Sequence, residues 1–359
     1  MKTMKHCDEN YKEYVKVSEF LNHVKNRRLL IQTHDVPDPD ALASAETFRV
    51  IAREFGIKAR IIVNGLPNRR ENQALLRECK IKIRPLESVN IQKPSRYAWV
   101  FIDCLPGGGN VTLHQNAPGD VFLAIDHHVK AKVSPKLKRK GIYITDPNAG
   151  ATATILGSIL LNLDIPFPPR LASALSYAII TDTMDFSRGA TRADLDCFSG
   201  LFPKTNQKII SRLRNASKPR QYFRMVHKSL VNANFYRHIS WLFIGAVESG
   251  EIVAEMADFI LSCERITWSL ALGYNSNRLY LSLRSENAKA NCGKIIHKLA
   301  WRQRGAVGGH NQFAGGFIEL DSSADVREIA GVITDQFIRI ILRIPQSMDV
   351  PDGSPLVGK

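Results

Sequence analysis

Residues 31–48 read Ile-Gln-Thr-His-Asp-Val-Pro-Asp-Pro-Asp-Ala-Leu-Ala-Ser-Ala-Glu-Thr-Phe, which places His34, Asp35, Asp38 and Asp40 within one short turn. Three more sets of the same makeup follow: Asp103, then Asp126 with His127 and His128, then Asp182 between two threonines. Carboxylates and imidazoles without cysteine are the donors that Mn²⁺ or Mg²⁺ takes, rather than a soft-metal set. Two such ions need a bridging ligand, which a carboxylate supplies with one oxygen to each. Ions about 3.5–4 Å apart clamp a phosphoryl group and deprotonate the water between them for in-line attack. A second histidine beside a metal-binding one is placed to protonate the leaving oxygen. One acid after a strand is a turn residue; His34, Asp38, Asp40, Asp103, His127, His128 and Asp182 together are a candidate site.

Each set must be positioned by the element before it. Apolar runs lead into His34, Asp103 and Asp126, so each reads as a buried strand that ends in polar chemistry. Pro37 and Pro39 favour extended conformations at Val36 and Asp38, which would let Asp38 and Asp40 point the same way. Helices are expected at 41–55, 70–79, 151–163 and 169–180, the first stopped by Gly56. Strands alternating with helices predict an α/β domain, a parallel sheet with helices on both faces. Ligands in such sheets sit beyond the carboxyl ends of the strands, where these residues fall.

Length allows two domains, and 44% hydrophobic with 23% charged residues is an ordinary globular composition. The sequence shows neither a signal-peptide core nor a bilayer-length apolar run, and its six cysteines lack CxxC spacing. The expectation is a reduced, cytoplasmic protein without a membrane partner. The net charge of +15 is localised: residues 130–140 hold six Lys and Arg, and 197–247 hold nine with no acid. Those fifteen equal the whole excess, since the other 34 basic residues balance 34 acidic ones. The second stretch interleaves Tyr222, Phe223, Phe235 and Tyr236, a pattern suited to single-stranded nucleic acid as well as to a solvated basic surface over core aromatics.

His34-x3-Asp38-x-Asp40, Asp103, Asp126-His127-His128 and Thr181-Asp182-Thr183 resemble, in order, the four motifs of the DHH phosphoesterases. The resemblance implies one metal held by His34 and Asp38, and a second by Asp40, His127 and Asp182, with Asp103 bridging. It implies His128 as the acid or phosphate contact and Asp126 as its support. Pro39 stands where that family usually has glycine, and the Leu-Pro-Gly-Gly-Gly-Asn after Cys104 is this chain's own.

A second, smaller α/β domain is expected from residue 239. Its Leu-Ser-Leu-Arg-Ser at 281–285 and the glycine-rich loop at 305–316 resemble the DHH-associated substrate domain. That likeness puts Arg284, Gly308, Gly309 and His310 on substrate-binding positions, although Val307 and Phe313 depart from the usual run. Expected boundaries are a flexible lead-in at 1–17, the catalytic domain at 18–195 and a basic helical linker at 196–238. The substrate domain then takes 239–345 and a flexible tail 346–359. Family II pyrophosphatases lack the Gly-Gly-His domain and RecJ-type exonucleases add another module. The arrangement is therefore similar to the nano-RNase, pAp phosphatase and linear-dinucleotide phosphodiesterase branch. The implied activity is Mn²⁺-dependent hydrolysis of short oligonucleotides or nucleotide phosphates, with two ions and with Mg²⁺ as an alternative. Longer single strands, polyphosphate or small phosphate esters, and non-catalytic nucleic-acid binding are the other readings. A homodimer is left open.

Overall fold

A computed structural model describes residues 4–67, 69–108, 110–128, 140–287, 289–300, 303–309, 311–321 and 325–358, with side chains from residue 12 onward. The chain divides into two compact units, Met1–Ser217 and Lys218–Lys359. Among the described residues no helix is long and apolar enough to cross a membrane.

The first unit is built on α1 (Met4–His23), β1 (Arg28–Gln32), α2 (Pro39–Glu54), β2 (Ala59–Val63), α3 (Arg70–Glu78), β3 (Ile83–Pro85), β4 (Tyr97–Ile102), β5 (Phe122–Asp126) and β6 (Gly141–Thr145). It continues with α4 (Thr152–Asn162), α5 (Pro169–Asp182), α6 (Arg192–Leu201) and α7 (Gln207–Arg214). The six strands are parallel in the order β3-β2-β1-β4-β5-β6. The order reverses between β1 and β4, and a crevice opens at such a reversal beyond the strand ends. Alternate strand residues serve two cores. Leu29, Ile31, Val100, Ile102, Leu123 and Ile125 pack with the helices, while Leu30, Trp99, Phe101, Phe122 and Ala124 pack with irregular segments that include Leu86, Ile91 and Leu105.

The second unit holds α8 (Arg220–Asn232), β7 (Ala233–Tyr236), β8 (Ile239–Ala246), α9 (Gly250–Leu261), β9 (Trp268–Asn275) and β10 (Arg278–Ser285). It ends with α10 (Cys292–Leu299), β11 (Gly305–Gly309), β12 (Phe313–Glu319), α11 (Val326–Leu342) and β13 (Ser354–Pro355). Its sheet runs β11-β12-β10-β9-β8-β7-β13, antiparallel except for the β8–β9 pair. The stretch expected as a glycine-rich loop is thus largely a hairpin. Glycine is required there by close backbone approach: a Cβ on Gly309 would lie 2.3 Å from the Cα of Ala314. Gly308 has open space instead.

Three expected boundaries are corrected. The lead-in is helical from Met4, and the apolar spacing of Val17, Phe20 and Leu21, continued by Val24 just beyond it, buries the end of α1 in the first core. The linker is no separate piece: Cys197, Leu201 and Leu213 bind α6 and α7 into the first unit, whereas α8 belongs to the second. The tail is docked, because β13 pairs with β7 and Gly353 lies against the Trp241 ring. The basic run at 130–139 lies outside the described residues.

Candidate active site

β1 delivers the chain into the turn that begins at Thr33. Asp35, one of the three carboxylates in that turn, faces away from the others: it accepts from the Thr112 amide (2.9 Å) and hydroxyl (2.6 Å), tying the turn to the segment after β4. Val36 is not extended as its proline neighbour suggests. Its φ is +52°, its N–H donates to Asn64 O at 2.8 Å, and its Cγ2 lies where a Cβ on Gly65 would clash. A β-branched residue in the left-handed region is strained by roughly 1–3 kcal/mol, held by the surrounding contacts.

Asp38 is extended and caps α2, accepting from Ala41 N at 2.9 Å with Pro39 in the first turn. Asp40, the next acid, lies in the first turn of α2. It is 1% exposed and accepts from the Thr152 and Ala153 amides, both at 2.8 Å, across the start of α4. Asp103 follows β4 with φ +58° and 3% exposure; its amide donates to Ile125 O, and its Oδ1 accepts from the Thr152 hydroxyl at 2.8 Å. Thr152 therefore positions two carboxylates at once. Sequence reasoning missed it, and the only signal was its place in the small-residue run that opens a helix.

The histidines converge on Asp103. His34 Nε2 is 3.5 Å from its Oδ2 and 3.8 Å from Asp38 Oδ1. His127 Nε2 is 3.7 Å from Asp103 Oδ1 and 3.4 Å from Asp182 Oδ2, at the last residue of α5. His34 Nδ1 faces Asp35 O at 3.0 Å and His127 Nδ1 faces Ala149 O at 3.3 Å. A carbonyl only accepts, so each Nδ1 carries a proton and each ring turns its Nε2 toward the carboxylates. His128 differs: its Nδ1 faces the carboxylate of Asp126 at 2.8 Å, which also accepts its backbone N–H. Asp194, likewise unforeseen, accepts from Gly150 N, Thr154 and Thr191, fixing the segment that carries the Ala149 carbonyl.

Like charges dominate the electrostatics. Burial, then the charges of Asp103, Asp182 and Asp38, lifts Asp40 well above the carboxylate range. Burial, then Asp38 and Asp103, pushes Asp182 up to about 8. Burial opposes charge on His34, yet Asp103 and Asp38 outweigh it and raise its pKa well above the usual value. Asp38 is likewise opposed by burial but drawn down to about 2 by His34. The Asp126 hydrogen bond holds His128 at about 9.

Among the described residues three groups each bring ligand atoms within 4.8 Å of one another: His34, Asp38 and Asp103; Asp40, His127 and Asp182; and Asp103, His127 and His128. All seven acidic and imidazole residues of the predicted metal and catalytic set are gathered here, with Asp126 behind them. The donor chemistry fits divalent cations: nitrogen and oxygen atoms, crowded carboxylates that resist ionising together, and Nε2 atoms turned toward them.

The predicted substrate residues lie in the second unit. Arg284 on β10 is bound to Asp258 at 2.6 Å and donates from Nη1 to Leu283 O and Ala314 O. Gly308 and Gly309 are on β11 opposite Gly315 and Ala314. His310 lies outside the described residues.

No family model matches the sequence. It is 27% identical over 297 residues to an uncharacterized protein of Methanocaldococcus jannaschii, covering 82% of this chain and 59% of that one. It is 23% identical over 185 residues to a probable manganese-dependent inorganic pyrophosphatase of Enterococcus faecalis, 48% of this chain and 54% of that one. The chain thus spans little more than half the length of these curated relatives. Among solved structures, an exopolyphosphatase-related protein from Bacteroides fragilis matches with a TM-score of 0.70 at 17% identity, over 92% of this chain and 98% of that one. RecJ from Thermus thermophilus in complex with Mn²⁺ matches with a TM-score of 0.56 at 14% identity, over 94% of this chain and 55% of RecJ. A parallel domain followed by a mixed-sheet domain is therefore a fold shared with the exopolyphosphatase-related protein and with the matched part of RecJ.

Proposed function

We propose that this chain is a divalent-cation-dependent phosphoesterase acting on short oligonucleotides or nucleotide phosphates. The observation that carries the reading is Asp103, buried at the switch point with His34 on one of its oxygens and His127 on the other. In this reading His34 and Asp38 hold one cation, Asp40, His127 and Asp182 a second, and Asp103 serves both; Mn²⁺ or Mg²⁺ suits such donors. When bound, these ions neutralise phosphate charge and make water acidic enough to attack phosphorus at neutral pH.

The chain's own groups do the rest. Asp40 and Asp103 are fixed by Thr152 and the first amides of α4, so their oxygens need no reorganisation. His128, half exposed and held by Asp126, keeps a proton on its ring at neutral pH. That proton would pass to the leaving oxygen, the role of a general acid. In the second unit the open backbone of Gly308 and the guanidinium of Arg284 would receive a terminal phosphate or a base.

A panel of labelled RNA and DNA strands of two to about twenty nucleotides, with inorganic polyphosphate alongside, tests the substrate class. Turnover highest on the shortest strands is expected with Mn²⁺ present. Arg284→Ala should lower it severely on two- and three-mers while sparing bis-p-nitrophenyl phosphate. Hydrolysis of polyphosphate alone would move the substrate to that class. Equal losses on every substrate would show Arg284, with its bond to Asp258, to be a fold residue.

A further inference from the structure

The basic stretch seen in the sequence is not consumed by the site described above. Its central part is α8, which contains no acidic residue and repeats a cation at every fourth position: Arg220, Arg224 and Lys228. Four residues of α-helix advance about 6 Å, so the three charges line one face at a spacing comparable to that of phosphates along an extended single strand. Among the described residues none of the three has a carboxylate partner. Phe223, on the same helix, is 62% exposed.

At the end of this row, wholly within the second unit, an open cavity of about 730 Å³ lies between α8, β8 and the start of α11. That volume is of the size small ligands occupy. Phe243 and Tyr274 line it with nearly parallel rings, centroids 6.2 Å apart and planes within 16°, both only half-buried. Lys228 stands at one side and Arg327 at the other, against a single acid, Asp335. β8 is bulged here, and Gly245, at φ +82°, leaves room for the Lys228 ammonium: a Cβ would sit 3.0 Å from Nζ. In the sheet order β8 is four strands from β11, about 19 Å at ordinary strand spacing, so the cavity is separate from Gly308 and Gly309.

We propose that α8 and this cavity form a binding site for single-stranded nucleic acid, with the cations on backbone phosphates and an unpaired base on the Phe243–Tyr274 shelf. Spaced cations leading to an aromatic platform match how single strands are held without sequence readout. A duplex hides its base faces, and a bare polyanion has none for the rings to use. The site deepens the phosphoesterase reading by naming what holds a longer strand, yet binding there needs no hydrolysis.

The test is fluorescence anisotropy of the full chain with a labelled 20-nucleotide single strand, chelator present, at several salt concentrations. Arg224→Gln with Lys228→Gln should weaken binding at least tenfold at low salt. It should also flatten the log–log salt slope by about 1.4, two phosphates at roughly 0.7 each. Tyr274→Leu should weaken binding roughly 5- to 150-fold, the worth of one stacked base. Tyr274→Phe, which keeps the ring, should bind as wild type and so separates stacking from misfolding. All should cleave a dinucleotide as wild type does when Mn²⁺ is restored. Unchanged strand binding in both the charge and the Tyr274→Leu variants would overturn the site. So would polyphosphate or duplex binding as tight as the single strand with no effect of Tyr274→Leu, which would mark a plain polyanion surface.

Discussion

At the scale of single residues, His128 and Asp182 are distinguished by what faces them. His128 lies against Asp126, so its loss removes a proton donor and leaves His34, Asp38, Asp40, Asp103, His127 and Asp182 in place. His128→Ala is expected to retain Mn²⁺, followed by calorimetry, and to lose roughly 10²–10⁴-fold in kcat, the usual worth of a general acid. A variant that no longer takes up Mn²⁺ would make His128 a ligand, as its place in one three-residue group allows. Asp182 gives a pH test. Its folded pKa of about 8 lies above the unfolded value of 3.8, so between these the folded state binds more protons and stability falls as pH rises. Without divalent cations, Asp182→Asn should therefore become progressively more stable than wild type from pH 5 to pH 8 in thermal melts. A gap in Tm that stays constant over that range would contradict the carboxylate crowding.

At the scale of elements, strand ends and helix starts do the positioning, and only the former were legible. His34, Asp103 and Asp126 follow apolar runs, so the sequence pattern alone sends them to one edge of a parallel sheet. Thr152 and Asp194 were not legible because their partners, Asp40, Asp103 and Gly150, are dozens of residues away and no local pattern marks them. Val36 shows a local rule overridden: the proline after it favours extended backbone, but the bond to Asn64 holds it left-handed. Asparagine tolerates that conformation better than valine. Val36→Asn should raise unfolding stability by ~1 kcal/mol in urea denaturation with the metal site intact. A loss of stability would mean that the Val36 side chain, not the strain, dominates there. The docked segment after residue 346 was equally hidden, since polar composition gives no hint that Gly353 packs on Trp241.

At the scale of the molecule, chemistry and charge are divided. The His and Asp centre belongs to the first unit, while Arg284, Gly308, α8 and the Phe243–Tyr274 shelf belong to the second. The excess of positive charge is concentrated in two stretches, not spread, and the one within the described residues supplies α7 and α8. A phosphoesterase that handles short strands needs little beyond the first unit and a terminal contact; one that also holds longer strands needs the α8 face. These roles separate by substrate length, and the hydrolytic one rests on the claim that the cluster around Asp103 is a cation-dependent centre. The most direct test is hydrolysis of a labelled dinucleotide by chelator-treated protein as Mn²⁺ is added back, wild type beside Asp103→Asn. Removing one charge shared by both proposed cation positions should leave the variant folded and inactive, while wild-type activity is absent in chelator and returns with Mn²⁺. Substantial Mn²⁺-dependent turnover by folded Asp103→Asn, or wild-type turnover that ignores the chelator, would contradict the account.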